Sequence, residues 1–161
     1  MQTRSLLISA MLISALVLAL TGVALAADPF IGTWKLNTAK SKMDTSPTPM
    51  TRNETLINAA QGNAIKTAFD GIDAQGKEFH IVSIGAWDGR DFPVKGDPGA
   101  DIIALKKIDA NTVSVAAKKA GKEVGTYQTT VSKDGKTMTM AVKVKDEKGK
   151  EWSYTQVWDK Q

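Results

Sequence analysis

Cysteine is absent from all 161 residues. Disulfide cross-links, thiolate metal sites and a lipid-modified lipoprotein cysteine are therefore excluded, and the chain must fold on its apolar core alone. Histidine is nearly absent as well. His80 stands alone, and one imidazole without cysteine or a second histidine makes a poor metal-ligand set and, lacking a matched acid or base, a poor catalyst. In the run Phe79-His80-Ile81-Val82 an extended chain turns it away from Phe79 and Ile81. There is no Gly-x-Ser-x-Gly elbow, phosphate-binding glycine loop or His-Glu-x-x-His pair. No catalytic residue, metal ligand or cofactor is expected, and the chain does not read as an enzyme.

Charge of one sign is not concentrated anywhere. The formal net charge is +4, but lysines are spread from Lys35 to Lys160 with acidic residues between them. No dense basic block sits beside aromatic residues, so a nucleic-acid groove is not expected and a solvated surface is. Asp88, Asp91, Asp97 and Asp101 fall in a glycine- and proline-rich stretch that reads as a loop. Their spacing does not fit a calcium-binding helix-loop-helix, whereas Asp-Gly and Asp-Pro are ordinary turn chemistry.

The one long apolar run lies at the start. Arg4 is followed by apolar residues from Leu6 to Leu20, then Thr21-Gly22, then the small-residue stretch ending Ala24-Leu25-Ala26. This order predicts a secretory signal peptide over residues 1–26, cleaved after Ala26 or, as second choice, after Ala27. The run is too short, and too close to an Ala-x-Ala site, for a membrane-spanning helix, which needs about 20 apolar residues. A periplasmic or secreted protein with no membrane span is expected, formed by residues 27–161 as one domain.

What is present in that domain is strand. After a loop-like segment with Pro47 and Pro49, short β-prone runs alternate with turn signals. They cover 56–60, 65–69, 78–87, 102–107, 112–118, 124–132, 138–144 and 151–158, separated by Gln-Gly-Asn, Asp-Gly and Ala-Gly-Lys junctions suited to tight hairpins. Met138, Met140, Val142 and Val144 alternate with Thr139, Ala141 and Lys143, the pattern of a strand with one buried face. Trp152, Tyr154, Gln156 and Trp158 likewise share one face of the last run. Helical candidates are scarce. The expected fold is all-β, an antiparallel up-and-down meander of about 8–10 strands closed into a barrel, because closure removes exposed sheet edges.

The stretch Phe30-Ile31-Gly32-Thr33-Trp34-Lys35-Leu36 resembles the first strand of the calycin group, which includes lipocalins, fatty-acid-binding proteins and avidins. The resemblance implies that Gly32 and Trp34 are structural anchors, the tryptophan plugging one end of the barrel. GTWKLNTAKSK, WDGRDFPVKGDPGAD, VSKDGKTMT and the terminal VWDKQ together resemble a family of small secreted bacterial lipocalin-like proteins without assigned activity. Fatty-acid-binding proteins end in Thr-Arg-Val-Tyr-Glu-Lys, where the arginine and tyrosine hold a carboxylate. Here the matching run is Thr155-Gln156-Val157-Trp158-Asp159-Lys160, so Gln156 and Trp158 replace that pair and the charge-assisted clamp is missing. Lipocalins also pack an arginine from near the end of the barrel against the tryptophan. No arginine follows Arg90 in this chain, which leaves that role to a lysine or to nothing.

A small barrel can fill its interior with side chains or keep room for one ligand. Phe69, Phe79, Trp87, Tyr127, Tyr154, Gln156 and Trp158 are the candidate cavity lining. Two functions follow from the two alternatives: an exported carrier of a neutral or largely apolar small molecule, or a filled-barrel structural or protein-interaction module of the cell envelope. Strand parity alone leaves both open.

Overall fold

The structure is a computed structural model in which residues 28–43, 52–73, 75–146 and 148–161 are described. The leader over 1–26 with its cleavage position, and residues 44–51 with Pro47 and Pro49, lie outside the described residues.

Ten strands follow one another: β1 (Gly32–Leu36), β2 (Arg52–Gln61), β3 (Ala64–Ile72), β4 (Glu78–Gly85), β5 (Asp88–Lys95), β6 (Ile102–Lys107), β7 (Thr112–Lys119), β8 (Lys122–Val131), β9 (Thr137–Lys145) and β10 (Glu151–Lys160). Each pairs antiparallel with its neighbour in sequence, and β1 also pairs with β10, so the meander closes into a barrel. This is the expected all-β fold, a lipocalin-like or fatty-acid-binding-protein-like barrel. Among the described residues no helix is long and apolar enough to cross a membrane.

β1 is half as long as β10, and the segment after Leu36 completes the closure. The Asn37 N–H donates to Val157 O at 2.8 Å, the Val157 N–H donates to Ser41 Oγ at 2.9 Å, and Lys42 forms a two-way bridge with Thr155. The first residues of the expected loop therefore satisfy backbone groups of β10 that would otherwise lack partners.

β5 corrects the sequence reading, in which Trp87 ends a strand and Asp88 to Asp91 form a turn within a loop. The turn is Ala86-Trp87, and Asp88–Lys95 is a strand. Gly89, at φ +82°, lets the turn-like residues be absorbed as a bulge between Asp88 and Asp91. Pro93 is tolerated because of where its nitrogen points. The Val94 N–H donates to Asp101 O on the β6 side, so the nitrogen of Pro93 faces β4, where the ladder holds only Val82↔Lys95 and Ser83↔Val94 and stops before the proline. The missing donor ends this pairing, and it breaks no hydrogen bond further along.

One end of the barrel is packed solid. Trp34 and Trp158 are fully buried, joined by Phe30, Leu36, Leu56, Val113, Val131 and Met138. The register explains the convergence: Trp34 opposes Leu56, and Trp158 opposes both Leu36 and Met138, so four neighbouring strands deliver large side chains at one end. The indole Nε1 of Trp34 donates to Phe30 O at 3.1 Å, and Asn58 Nδ2 donates to the same oxygen at 3.0 Å. An ion pair between Lys107 and Asp28 at 2.8 Å ties the turn that carries Phe30 to the end of β6.

A lysine takes the place left open by the missing arginine. Lys160, opposite Trp34 in the ladder, sets its Nζ 5.0 Å from the centre of the indole ring. Gly32 makes room for it, since a Cβ there would fall 2.8 Å from Lys160 Cε on a backbone at φ +135° that side chains rarely adopt.

Candidate functional site

Above the packed end the barrel is hollow, with a cavity of about 580 Å³. Inward-facing positions supply its wall: Leu56, Thr67, Phe69, Ile81, Ser83 and Val94 belong to successive strands and pair in register across the ladders. Apolar side chains dominate, with Ile103, Leu105, Val115, Met140 and Val144 completing the far wall.

Phe69, Phe79, Trp87, Tyr127, Tyr154 and Gln156 all line this space. Trp158 does not. It shares a face with Tyr154 and Gln156, but β10 runs downward, and two residues further on it reaches the packed layer, where its ring meets Phe69 edge-on at 6.0 Å. Alternation predicts a side chain's face correctly and says nothing of its height. Trp87, in the β4–β5 turn, spans both zones: it lines the cavity and packs against Phe30 at 5.7 Å between ring centres.

The sequence reading missed Glu54. This side chain is only 7% exposed, on the inward face of β2 with Leu56 and Asn58. Burial pushes its carboxyl up from the ordinary 4.5 to about 7. Gln156 Nε2 donates toward Glu54 Oε2 at 3.5 Å, a long contact. Gly71 supplies the room. A Cβ there would lie 2.6 Å from Phe79 Cζ and 3.0 Å from Glu54 Cγ, so the ring and the carboxyl share the space that a larger residue would take. The signal was present in the pattern: if Leu56 faces inward, so must Glu54 and Asn58. It went unread because the strand was begun at Leu56.

Thr67 and Asn58 are already engaged. Thr67 Oγ1 donates to Asn58 Oδ1 at 2.8 Å, which leaves the Asn58 amide to hold Phe30 O. Burial, with Tyr154 and Asp97 adding to it, pushes the Tyr127 phenol far above its usual range, so it stays protonated. At the mouth stand Asp73 and Asp97 with Lys145, whose Nζ is 3.1 Å from Glu151 Oε1. Lys145 is the only basic side chain in the described lining.

Apart from Asp97 at the mouth, the remaining candidates lie outside the cavity. His80 is exposed on the outer face, its Nδ1 hydrogen-bonded to Asp70. Asp88 pairs with Arg90 and Asp91 with Lys118, while Asp97 accepts from the Gly99 N–H and Asp101 from the Ala120 N–H. Each of these aspartates shapes a turn or bulge or pairs with a side chain of another strand.

Fold and site together define the class: a closed antiparallel barrel with an internal cavity, mostly apolar and, among the described residues, with one buried carboxyl in its wall. In comparisons with known proteins, the chain matches no protein-family model and no curated protein.

Proposed function

We propose that this is an exported, lipocalin-like carrier of the calycin group, which holds a small, neutral or largely apolar molecule in its barrel, acts in the periplasm or outside the cell, and performs no chemistry on its cargo. The observation that supports this reading is the cavity of about 580 Å³, within the size range of sites for small organic ligands. A filled-barrel module would pack that volume. The wall suits a flat or chain-like apolar body, with Phe69, Phe79 and Trp87 as contact surfaces and Gln156 as a hydrogen-bonding group. Free fatty acids fit poorly, because a desolvated carboxylate needs a paired positive charge and meets Glu54 instead. Native mass spectrometry of the protein purified from its own envelope tests the proposal. A stoichiometric adduct of a few hundred daltons, released on denaturation, is the expected result; its repeated absence at full occupancy of the fold would favour the structural module.

A further inference from the structure

Two buried hydroxyls in the cavity wall take no part in the hydrogen bonding of the fold. Ser83 on β4 and Thr129 on β8 are only 5% and 4% exposed, and both line the cavity. Among the described residues neither hydroxyl has a hydrogen-bond partner, and neither is sealed in the wall as the Trp158 indole N–H is, so each opens onto the hollow. A buried hydroxyl left without a partner is costly, and most in folded proteins are satisfied.

Both stand at the bottom of the cavity. Ser83 is directly opposite Thr67, which bonds Asn58, and the Asn58 amide holds Phe30 O in the packed layer. Thr129 is directly opposite Val113 and two residues before Val131, and both valines belong to that layer. The charged side chains of the described lining lie higher. Asp73, Asp97 and Lys145 are at the mouth, and Glu54 precedes Asn58 by four residues on β2, about 13 Å along the strand.

We propose that the cargo carries an uncharged oxygen group, a hydroxyl or a carbonyl, and enters with that end first, to be held at the cavity floor by Ser83 and Thr129. The inference rests on the reading of the barrel as a carrier and adds the head group of the cargo and its orientation. A side-chain hydroxyl both donates and accepts, so it serves either group. An ammonium or a carboxylate at this depth would give up its water with no opposite charge in the described wall around it. A pure hydrocarbon would displace water from both hydroxyls without replacing its bonds, which loses affinity. Phe79 and Ile81 precede Ser83 on the same face of β4, so the rest of the molecule meets apolar surface on its way up to the mouth.

Biphenyl, para-phenylphenol and para-phenylbenzoate share one flat apolar body and differ only at one end, so they isolate the claim. Each is titrated into the full chain at neutral pH, where the phenol is uncharged, and binding is followed by calorimetry. Phenylphenol should bind one-to-one, about fivefold more tightly than biphenyl, and phenylbenzoate the most weakly of the three. In the double variant Ser83→Ala with Thr129→Val the phenol should fall to the affinity of biphenyl or below it, while biphenyl binds at least as tightly as before and shows that the cavity is intact. Both substitutions remove an oxygen that no described protein group uses, and either single variant carries the same test if the pair does not fold. If biphenyl binds the unmodified protein and the phenol is no tighter, the proposal is overturned and the carrier reading stands. Survival of the full phenol preference in the double variant also overturns it. If none of the three binds, both readings fall together.

Discussion

Replacing Glu54 by Gln should change the pH dependence of stability more than stability itself. The two side chains are nearly isosteric, and glutamine can still meet Gln156, so packing is preserved. What is lost is the titration. The folded protein holds the Glu54 proton up to about pH 7, whereas the unfolded chain releases it near the ordinary 4.5. Between those values the native state binds more protons, so the stabilising contribution of this group is complete below pH 4.5 and is lost as pH rises through about 7. At about 1.4 kcal/mol per pKa unit, the full swing is about 3 kcal/mol. Asp88, Asp109, Asp134, Asp146 and Asp159 titrate below their usual value and act in the opposite sense in acid, but they are common to both proteins. Subtracting the two curves removes them. Urea unfolding of both proteins at intervals from pH 4.5 to 8.5 should therefore show Glu54→Gln gaining on the unmodified protein by about 3 kcal/mol across the range, most of it between pH 5 and 8. A difference that stays within about 0.5 kcal/mol at every pH would mean that water reaches this carboxyl freely, and the account of a buried acid in the wall would fail.

Trp34→Ala should lower stability by about 3–5 kcal/mol in the same assay, the cost of a large aromatic lost from a core; a loss below about 1 kcal/mol would show that it is not the plug. Lys160→Met should cost about 0.5–1 kcal/mol through the lost cation over the indole, and Lys160→Arg should restore it; equal stability of all three would remove the role given to this lysine. Gly71→Val should drive Phe79 toward Glu54 and into the cavity, weakening any ligand while the far-ultraviolet spectrum stays that of the barrel; unchanged binding would place the ligand elsewhere. Mass spectrometry of the protein from its native envelope should find a chain beginning at Ala27 or Asp28, and an intact Met1 would defeat the export reading.

The meander was legible because its evidence is local. Alternation over Met138 to Val144 and the Asp-Gly and Ala-Gly junctions each act within a few residues, and they produce hairpins wherever the chain is read. β5 was not legible for the same reason. Gly89, Pro93, Asp88 and Asp91 are loop residues by local rules, and they become a strand only because β6 offers a partner and the β4 ladder stops at the proline, whereas Asp97 and Asp101 stay in the loop that follows. The site divides along the same line. Six of the seven expected lining residues face the cavity, since parity settles the face once closure settles which face is inside. Height along the axis depends on register between distant strands, which is why Trp158 was placed too high; Glu54, near the start of a strand whose edge was set four residues late, was not seen at all.

The barrel thus has two halves with opposed energetics, and the contrast bears on function. At the packed end Trp34, Trp158 and Phe30 are buried, the Trp34 indole donating to Phe30 O, each large ring contributing on the order of 2–3 kcal/mol by burial. At the open end the chain keeps a hollow, and it places in the wall a carboxyl whose ionisation costs about 3 kcal/mol at neutral pH. Domains of this size hold a net stability of only about 5–15 kcal/mol, so that cost is a large share of the margin, in a chain that has no disulfide to offset it. Leucine or methionine at position 54 would relieve the cost and extend the line already set by Leu56. A group that weakens the fold and faces a cavity is the kind of local inconsistency that marks a functional position rather than a structural one. The cavity and the acid occur together here: either alone is compatible with a structural module, and the two combined favour a barrel built around a ligand.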